Sequence, residues 1–123
     1  MRSNYRINKR TGKLEPSPLL ERDITKAIRT ELKRMGVWHF KVMGGLGQQA
    51  GLPDLICCVR GVLLGIEVKT QRGRVSEKQQ EIGDQIRRAG GVWIVAKDTA
   101  TVADAIKIIL ERGKGSQGGE GEG

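Results

Sequence analysis

The chain has 123 residues, a length that fits one compact domain whose apolar core needs no disulfide or structural metal. Lys and Arg outnumber Asp and Glu by 22 to 14, and the formal net charge is +8. This charge indicates a polyanionic partner, with nucleic acid as the first candidate, although ribosomal proteins, membrane-surface binders and well-solvated enzymes share it.

The two cysteines, Cys57 and Cys58, are adjacent in an apolar run. Neighbouring side chains of a strand point to opposite faces, so a disulfide between the two is excluded. The spacing CxxC is absent, which excludes a sulfur-ligated zinc or iron–sulfur site. No N-terminal apolar stretch resembles a signal peptide or a membrane span, and we expect an intracellular protein with buried, reduced cysteines.

Both ends of the chain are predicted to lack regular structure. Residues 1–16 contain five basic residues, no acidic residue before Glu15 and no apolar periodicity, so we expect a flexible basic arm. This arm is either a solvated terminus or a contact with DNA. Residues 113–123 are mostly Gly with Ser, Gln, Glu and Lys, which predicts a disordered tail because burial cannot offset the ordering entropy. The expected domain is therefore 17–112.

A first helix is predicted over Pro18–Met35. Ser17 fits its N-cap and Pro18 its first helical position. Apolar residues recur along it at helical spacing, namely Leu20, Ile24, Ile28, Leu32 and Met35. Gly36 is placed to end this helix in a left-handed cap.

The remaining elements are predicted from alternation, helical periodicity and turn residues. They are a strand over Val37–Met43, a glycine-rich loop over Gly44–Gly51, strands over Asp54–Val59 and Val62–Thr70, a helix between Ser76 and Gly90, a strand over Val92–Ala96 and a helix over Ala100–Arg112. The order is α-β-β-β-α-β-α. It predicts an α/β fold in which a mixed sheet is flanked by helices on both sides.

The strand that contains Glu67 and Lys69 combines charged and apolar faces. Strand residues alternate, so Glu67 and Lys69 point to one face while Ile66 and Val68 point to the other, into apolar packing. A charged pair on a strand otherwise suited to burial indicates a functional site. The alternative is an ordinary surface pair.

A two-residue turn at Arg60 and Gly61 fixes how the two strands pair. Counting back from the turn along both strands puts Asp54 directly opposite Glu67. At that register their Cβ atoms are about 4.5–5.5 Å apart, a separation that one divalent cation bridges. A slip of one residue would put the two carboxylates on opposite faces.

Asp54, Glu67 and Lys69 together suit phosphodiester hydrolysis. Two adjacent carboxylates repel each other, so the pair needs a metal, a shared proton or a basic neighbour, and Lys69 is such a neighbour. A metal stabilises charge on the phosphate and acidifies water, while an ammonium orients that water or stabilises the transition state. Oxygen ligands favour Mg²⁺ or Mn²⁺ over zinc or copper. The three residues therefore predict a divalent-metal-dependent nuclease.

The same residues carry a resemblance to a known family. Pro53-Asp54, followed by Glu67-Val68-Lys69, resembles the bipartite motif of the PD-(D/E)xK nuclease superfamily. The flanking segments narrow it: Gly51–Ile56, Gly65–Lys69 and Ser76 with Gln79 are similar to the VRR-Nuc family, whose compact single-domain members come largely from phages and bacteria. The similarity covers about residues 21–96, most of the chain that is expected to be ordered.

The resemblance implies a restriction-endonuclease-like fold and gives each site residue a role. Asp54 and Glu67 would bind the metal together with the Val68 carbonyl, Lys69 would act on the attacking water, and Gln79 would support the site from the second helix. Gln79 also has a structural explanation, because Ser76-Glu77-Lys78-Gln79 is a capping box. The two roles are compatible.

The family also has an acidic residue on its first helix, which can add a metal ligand. Glu21 and Glu31 both project near the centre of the apolar stripe, and Glu21 is preferred. Glu21 has a structural explanation as well, since a carboxylate near a helix start favours the macrodipole.

Several polar residues near the predicted site are candidate nucleic-acid contacts: Lys41, Gln48, Gln49, Arg72 and Arg74. The first three lie in or beside the glycine-rich loop, whose flexibility suits closure on a phosphate backbone, and the arginines follow Lys69. An ordinary connection and a solvated turn are the alternatives. His39, the one histidine, is not expected to act as a base.

By this resemblance the expected activity is a Mg²⁺- or Mn²⁺-dependent endonuclease acting on branched DNA, similar to Holliday-junction resolvases, in the cytoplasm of a bacterial host. Symmetric cutting calls for a homodimer, with Trp38, Phe40 and Trp93 as contacts unless they belong to the core. The alternatives are a non-catalytic DNA-binding module of the same fold and a sequence-dependent, restriction-like nuclease. Few aromatics and no recognition helix favour readout of DNA shape and backbone.

Overall fold

Two β-sheets and three helices make up the parts of the chain that the structure, a computed structural model, describes: residues 5–16, 20–45 and 47–120. No helix in these ranges is long and apolar enough to cross a bilayer.

The basic N-terminal segment contains a small antiparallel hairpin, formed by β1 (Tyr5–Ile7) and β2 (Leu14–Pro16). The Asn8 side chain accepts hydrogen bonds from two backbone amides of the connecting turn, and Arg6 pairs with Glu15 across the strands at 3.1 Å. The sequence patterns predict an irregular arm here, and the hairpin corrects that prediction. Local turn contacts hold it without any apolar periodicity.

The first helix, α1 (Glu21–Arg34), begins later than predicted. Its N-cap is Leu20, whose amide donates to the Asp23 carboxylate at 3.2 Å, and the predicted cap at Ser17 and Pro18 lies outside the described residues. The end is as predicted, because Gly36 has a φ of 71° in the left-handed region. Three apolar residues are fully buried or nearly so: Ile24, Ile28 and Leu32.

The main sheet has four strands in chain order: β3 (Trp38–Lys41), β4 (Leu55–Val59), β5 (Val62–Val68) and β6 (Val92–Ala96). β3 is shorter than the predicted strand over Val37–Met43 because its partner β4 begins only at Leu55. The first three strands are antiparallel, whereas β6 runs parallel to β5, so the predicted mixed sheet is confirmed.

The β4–β5 turn has the predicted register. Arg60 and Gly61 have φ values of 49° and 83°, the positive angles of a type I′ turn. Val59 pairs with Val62, and the ladder continues to Leu55 opposite Ile66. The positions opposite each other therefore match the predicted count along both strands.

Helices cover both faces of the sheet. On one face α1 packs with α3 (Thr99–Glu120) over the apolar core. On the other face α2 (Glu77–Arg88) packs against β5 and β6, where Gly83 meets the ring of buried Trp93. Trp93 thus belongs to the interior, the alternative that removes it from the candidate dimer contacts. The half of this second face formed by β3 and β4 is not covered by α2.

Two further predictions differ from the structure. α3 continues past the predicted end at Arg112 to Glu120, through glycine-rich sequence for which composition predicts disorder. Extending an existing helix needs no new nucleus, so each added residue gains a hydrogen bond without the initial entropic cost.

Cys57 is buried as predicted but Cys58 is exposed, because adjacent strand residues face opposite sides. Both cysteines are free, and burial raises the pKa of the Cys57 thiol to about 12.

Candidate active site

Asp54 and Glu67 meet at the end of the β4–β5 ladder. Asp54 directly precedes β4, and continuing the register from Leu55 opposite Ile66 puts it opposite Glu67. The Asp54 Oδ2 atom accepts a hydrogen bond from the Val68 amide at 2.7 Å, which fixes its carboxylate against β5. The Asp54 carboxyl thus comes into contact with the Glu67 side chain, as the predicted register requires.

Glu67 is a buried acid whose two oxygens have different surroundings. Its exposed fraction is only 1%. Oε2 accepts a hydrogen bond from Gln79 Nε2 at 2.9 Å and lies 3.8 Å from Lys69 Nζ. Oε1 is buried and no donor in the described structure reaches it. The nearby Asp54 carboxyl offers only acceptor oxygens when both groups are ionised, so Oε1 needs a shared proton or a cation.

The protonation of Glu67 reflects this environment. Burial, followed by the charge and hydrogen-bonding contact of Asp54, raises the pKa of Glu67 from 4.5 to about 8. Lys69 lowers this pKa in part, and the more distant Glu21 carboxylate raises it. The group therefore holds its proton near neutrality unless a positive charge replaces it.

Gln79 makes both of the contacts predicted for it, with the start of α2 and with Glu67. The Ser76 hydroxyl accepts from the Gln79 amide at 3.1 Å, and the Gln79 Oε1 atom accepts from the Ser76 amide at 2.9 Å, which completes the capping box. The remaining Nε2 group donates to Glu67. The start of α2 thus orients the acid at the centre of the site.

Lys69 follows β5 and approaches Glu67 from the protein surface. Its side chain is 14% exposed, so the ammonium is mostly enclosed but still reaches solvent. Gly73 turns back over it, and a Cβ atom at Gly73 would lie 3.3 Å from the Cβ atom of Lys69. The turn therefore packs against the lysine stem and restricts where the ammonium can point.

The two candidate acids of α1 have different surroundings. Glu21 lies at the helix start and acts electrostatically on Glu67. Glu31 is a further ten residues along the helix and forms a bidentate contact with Arg34, with distances of 2.8 and 2.6 Å. The hydrogen bond from Arg34 lowers the pKa of Glu31. Of these two acids, only Glu21 acts electrostatically on Glu67.

A proline beside the site packs closely against β5. The paired strands end at Leu55 opposite Ile66, so Pro53 lies beyond the ladder. Proline has no N–H and cannot itself extend the ladder in the usual way. A Cβ atom at Gly65 would lie 2.9 Å from the Pro53 ring, so only glycine leaves room for it there. The sequence motif contains this proline, but its contact with Gly65 is visible only in the structure.

The donors present fit a hard divalent cation. No three His, Cys, Asp or Glu side chains of the described residues lie close enough together to hold a metal. The side chains that would hold a cation here are therefore Asp54 and Glu67, and Glu21 does not lie close enough to complete a group of three. Carboxylate oxygens such as the donorless Oε1 atom of Glu67 are the type of ligand that Mg²⁺ and Mn²⁺ prefer. The Val68 carbonyl stays a prediction as a further ligand.

Four of the five predicted nucleic-acid contacts lie on exposed segments beside this site. Gln48 and Gln49 line a cavity of about 380 Å³ that also includes Asp54, and Arg72 and Arg74 are exposed in the turn after Lys69. The end of the loop is held in place: Gly51, with a φ of 86°, passes so close to α2 that a Cβ atom would lie 2.6 Å from the Lys78 carbonyl oxygen. Lys41 lies on the other side, toward α1.

Two solved structures share this architecture. One, described as a VRR_NUC domain protein, superposes with a TM-score of 0.62 at 23% identity, over 74% of this chain and 88% of the other. A second, described as a VRR_NUC domain, gives a TM-score of 0.59 at 24% identity, over 71% of this chain and 94% of the other. No protein-family model and no curated protein matches the chain. The chain therefore has the fold of a VRR_NUC domain, as the resemblance of its motifs implies.

Proposed function

We propose that the chain is a VRR-Nuc nuclease that hydrolyses DNA phosphodiester bonds with Mg²⁺ or Mn²⁺. The observation that carries this proposal is the buried Oε1 atom of Glu67, which has no donor among the described residues although the Asp54 carboxyl lies close to the same side chain. A purely structural protein gains nothing from an acidic pair in that state, whereas a cation resolves it. The net charge of +8 suits a polyanionic substrate.

Each residue of the site has a separate role in the proposed hydrolysis. A divalent cation, when bound by Asp54, Glu67 and the Val68 carbonyl, supplies charge neutralisation at the phosphate and acidifies water. The partly exposed Lys69 ammonium is placed to orient the attacking water or to stabilise negative charge that develops on the phosphate. Gln79 keeps Glu67 in one orientation through its Nε2 hydrogen bond.

Branched DNA is the substrate that we propose, with Holliday junctions first, and the bacterial cytoplasm as the place of action. This choice follows the resemblance of the motifs to the VRR-Nuc family, together with the fold shared with VRR_NUC domains. Symmetric cutting of a junction needs two sites related by a twofold axis, so we propose a homodimer. Trp38 and Phe40 are 65% and 45% exposed on the uncovered half of the sheet and are the proposed contacts.

The decisive experiment is cleavage of labelled DNA by the wild type and by Lys69→Ala. We expect the wild type to cut four-way junctions with Mg²⁺ or Mn²⁺ and to be inactive in EDTA. Loss of Lys69 should lower the rate by about 10²–10³, since one charge-stabilising group is removed. Lys107→Ala, an exposed lysine on α3, is the matched control and should cut normally.

The substrate panel separates the alternatives. It should contain junctions, flaps, splayed arms, linear duplex and single strands. Cutting of plain duplex at particular sequences would instead indicate a restriction-like enzyme. If the wild type binds these DNAs but cuts none of them with either metal, the nuclease proposal is wrong and a DNA-binding module remains.

A further inference from the structure

One face of α1 has a row of cations that the candidate active site does not use. The basic residues recur at intervals of three or four, which places them within an arc of about 60° at 100° per residue. They are Arg22, Lys26, Arg29 and Lys33, here called the α1 stripe.

The α1 stripe borders a cleft between α1 and the edge strand β3. This cleft has a volume of about 250 Å³ and is lined by the stripe, by Thr25 and Thr30, and by Lys41 of β3. The hydroxyls of Thr25 and Thr30 donate to backbone carbonyls of α1 itself, at 2.9 and 3.0 Å. Ligand contacts in the cleft would therefore come mainly from the five cationic side chains.

These cations have no carboxylate partner among the residues that the structure describes. The ion pairs found there join other residues, and Glu31 is occupied by Arg34. Arg29 donates to His39 Nε2, which is not a carboxylate, at 3.4 Å. Arg22 also lies in the first turn of α1, where the macrodipole disfavours a cation. Such a row repels itself, and a bound polyanion would remove that repulsion.

The cleft begins beside the acidic site. Arg22 follows Glu21, whose carboxylate acts on Glu67. On the other wall Lys41 precedes Val42, whose amide donates to the Asp54 carbonyl at 2.8 Å. From Arg22 the stripe runs away from the site to Lys33, about 16 Å at 1.5 Å per residue. That length corresponds to roughly five base-pair steps along a duplex axis at 3.4 Å each.

We propose that the α1 stripe and Lys41 bind the phosphate backbone of a duplex arm that leads away from the scissile bond. The orientation of this arm, away from the scissile bond, rests on the proposed nuclease function. The α1 stripe adds a second DNA-binding surface to that function. The lining of the cleft contains no aromatic side chain. The proposed contacts therefore neutralise phosphate charge and position the duplex without reading its bases. Binding there is expected to be independent of sequence and strongly dependent on salt.

The test uses two double variants that each remove two positive charges. Lys26→Ala with Lys33→Ala alters the α1 stripe, and Lys107→Ala with Arg112→Ala alters exposed positions on α3 as the matched control. Binding of a labelled linear duplex is measured by fluorescence anisotropy in EDTA over a series of KCl concentrations. We expect the stripe variant to lower the slope of log K against log salt by about 2, and its affinity by at least tenfold in moderate salt.

Several results would overturn the inference: an unchanged slope in the stripe variant, an equal loss in the control, no duplex binding by the wild type, or stripe-dependent binding to phosphatidylserine vesicles in place of DNA. Thermal melts should show both variants folded, because all four substituted side chains are exposed.

The binding assay in EDTA involves no cleavage, so it tests the α1 stripe separately from the nuclease proposal. A wild type that never cuts but shows the slope change would refute the nuclease and leave the α1 stripe intact, whereas normal cutting with an unchanged slope would refute only the stripe.

Discussion

Glu67 destabilises the fold that holds it. Its carboxyl is almost completely buried beside a second acid, one of its oxygens lacks a donor, and Lys69 at 3.8 Å compensates only in part. A neutral side chain of the same shape would suit the folded chain better. The retention of an acid in such surroundings is typical of functional sites.

The stability of the metal-free chain should fall as the pH rises. Burial and Asp54 raise the pKa of Glu67 from 4.5 to about 8, so the folded chain keeps a proton that the unfolded chain releases above pH 4.5. This stabilisation is complete below pH 4.5 and is lost as the pH rises through 8. Its contribution to the free energy of unfolding is on the order of a few kcal/mol. Urea unfolding in EDTA from acid to alkaline pH measures it.

Glu67→Gln should remove most of that dependence and raise stability at alkaline pH, because the amide cannot ionise. Glu111→Gln, at an exposed position of α3, should leave the dependence unchanged. A wild-type stability that does not vary between pH 5 and about 9 would contradict the expected effect of burial on Glu67.

The two roles of Gln79 can be separated by substitution. Gln79→Glu keeps an oxygen for the Ser76 amide but loses the Nε2 donor and adds a charge beside Glu67. We expect it to lower kcat by at least tenfold while α2 remains intact. Ser76→Ala removes the cap instead and should cost about 1 kcal/mol of stability with little change in kcat. Equal kinetic losses in both variants would mean that Gln79 acts only through the helix start.

At the scale of elements, α2 is held by close packing more than by a broad apolar face. Its buried residues are Ile82 and Gly83, and the Gly83 backbone lies directly on the Trp93 ring. Arg87 adds a contact from above the same ring, with 5.1 Å between the guanidinium carbon and the ring centroid. Because α2 supplies Gln79, this packing sets the distance from Gln79 to Glu67.

Gly83→Ala should therefore destabilise the chain although alanine favours helices. A Cβ atom at this position would overlap the Trp93 ring, and overpacking of this kind costs about 1–3 kcal/mol. Gly113→Ala on α3 is the matched control, because nothing lies within 4 Å of a Cβ atom there. The control should gain up to about 1 kcal/mol from helix propensity. Chemical denaturation of both variants measures the difference, and a stabilised Gly83→Ala would contradict the packing.

The elements that local patterns define were predictable. The Arg60-Gly61 turn fixes the β4–β5 register, and that register brings Asp54 to Glu67. Local sequence patterns could not decide between Glu21 and Glu31, because both side chains project from similar sides of α1. It depends on which end of α1 lies near the end of β5, a long-range arrangement.

Other parts of the structure needed side-chain geometry or a contact across the fold. The burial of Trp93 on β6 depends on Gly83 of α2, which packs against its ring. The β1–β2 hairpin rests on turn hydrogen bonds of Asn8, which leave no apolar period in the sequence. The α1 stripe, in contrast, is visible in the sequence as basic residues at helical spacing and could have been found there.

At the scale of the whole molecule, the sheet has one half-covered face. Trp38 and Phe40 contact each other there edge to face, with 5.7 Å between their ring centroids. The proposed dimer would bury both rings. Lys41 and His39 point to the opposite side, toward α1, so the dimer contacts and the α1 stripe do not compete for the same face.

Trp38→Glu should shift the proposed dimer to monomer, because a charge would be buried between two copies. Sedimentation at several protein concentrations measures the change. Ile108→Glu, at another exposed apolar position on α3, should leave the association state unaltered. A wild type that sediments as a monomer at micromolar concentration would contradict the homodimer, and single nicks in place of paired cuts would then be expected from the same active site.

Asp54 joins the sheet to the site through two hydrogen bonds of its own. Its backbone carbonyl accepts from the Val42 amide at 2.8 Å, and its carboxylate accepts from the Val68 amide at 2.7 Å. The bond that closes the end of the β4–β5 pair is therefore made by a side chain of the candidate site in place of a strand backbone. A substitution of Asp54 would thus loosen three strands at their common end as well as remove an acid, so loss of activity in such a variant has to be separated from loss of structure.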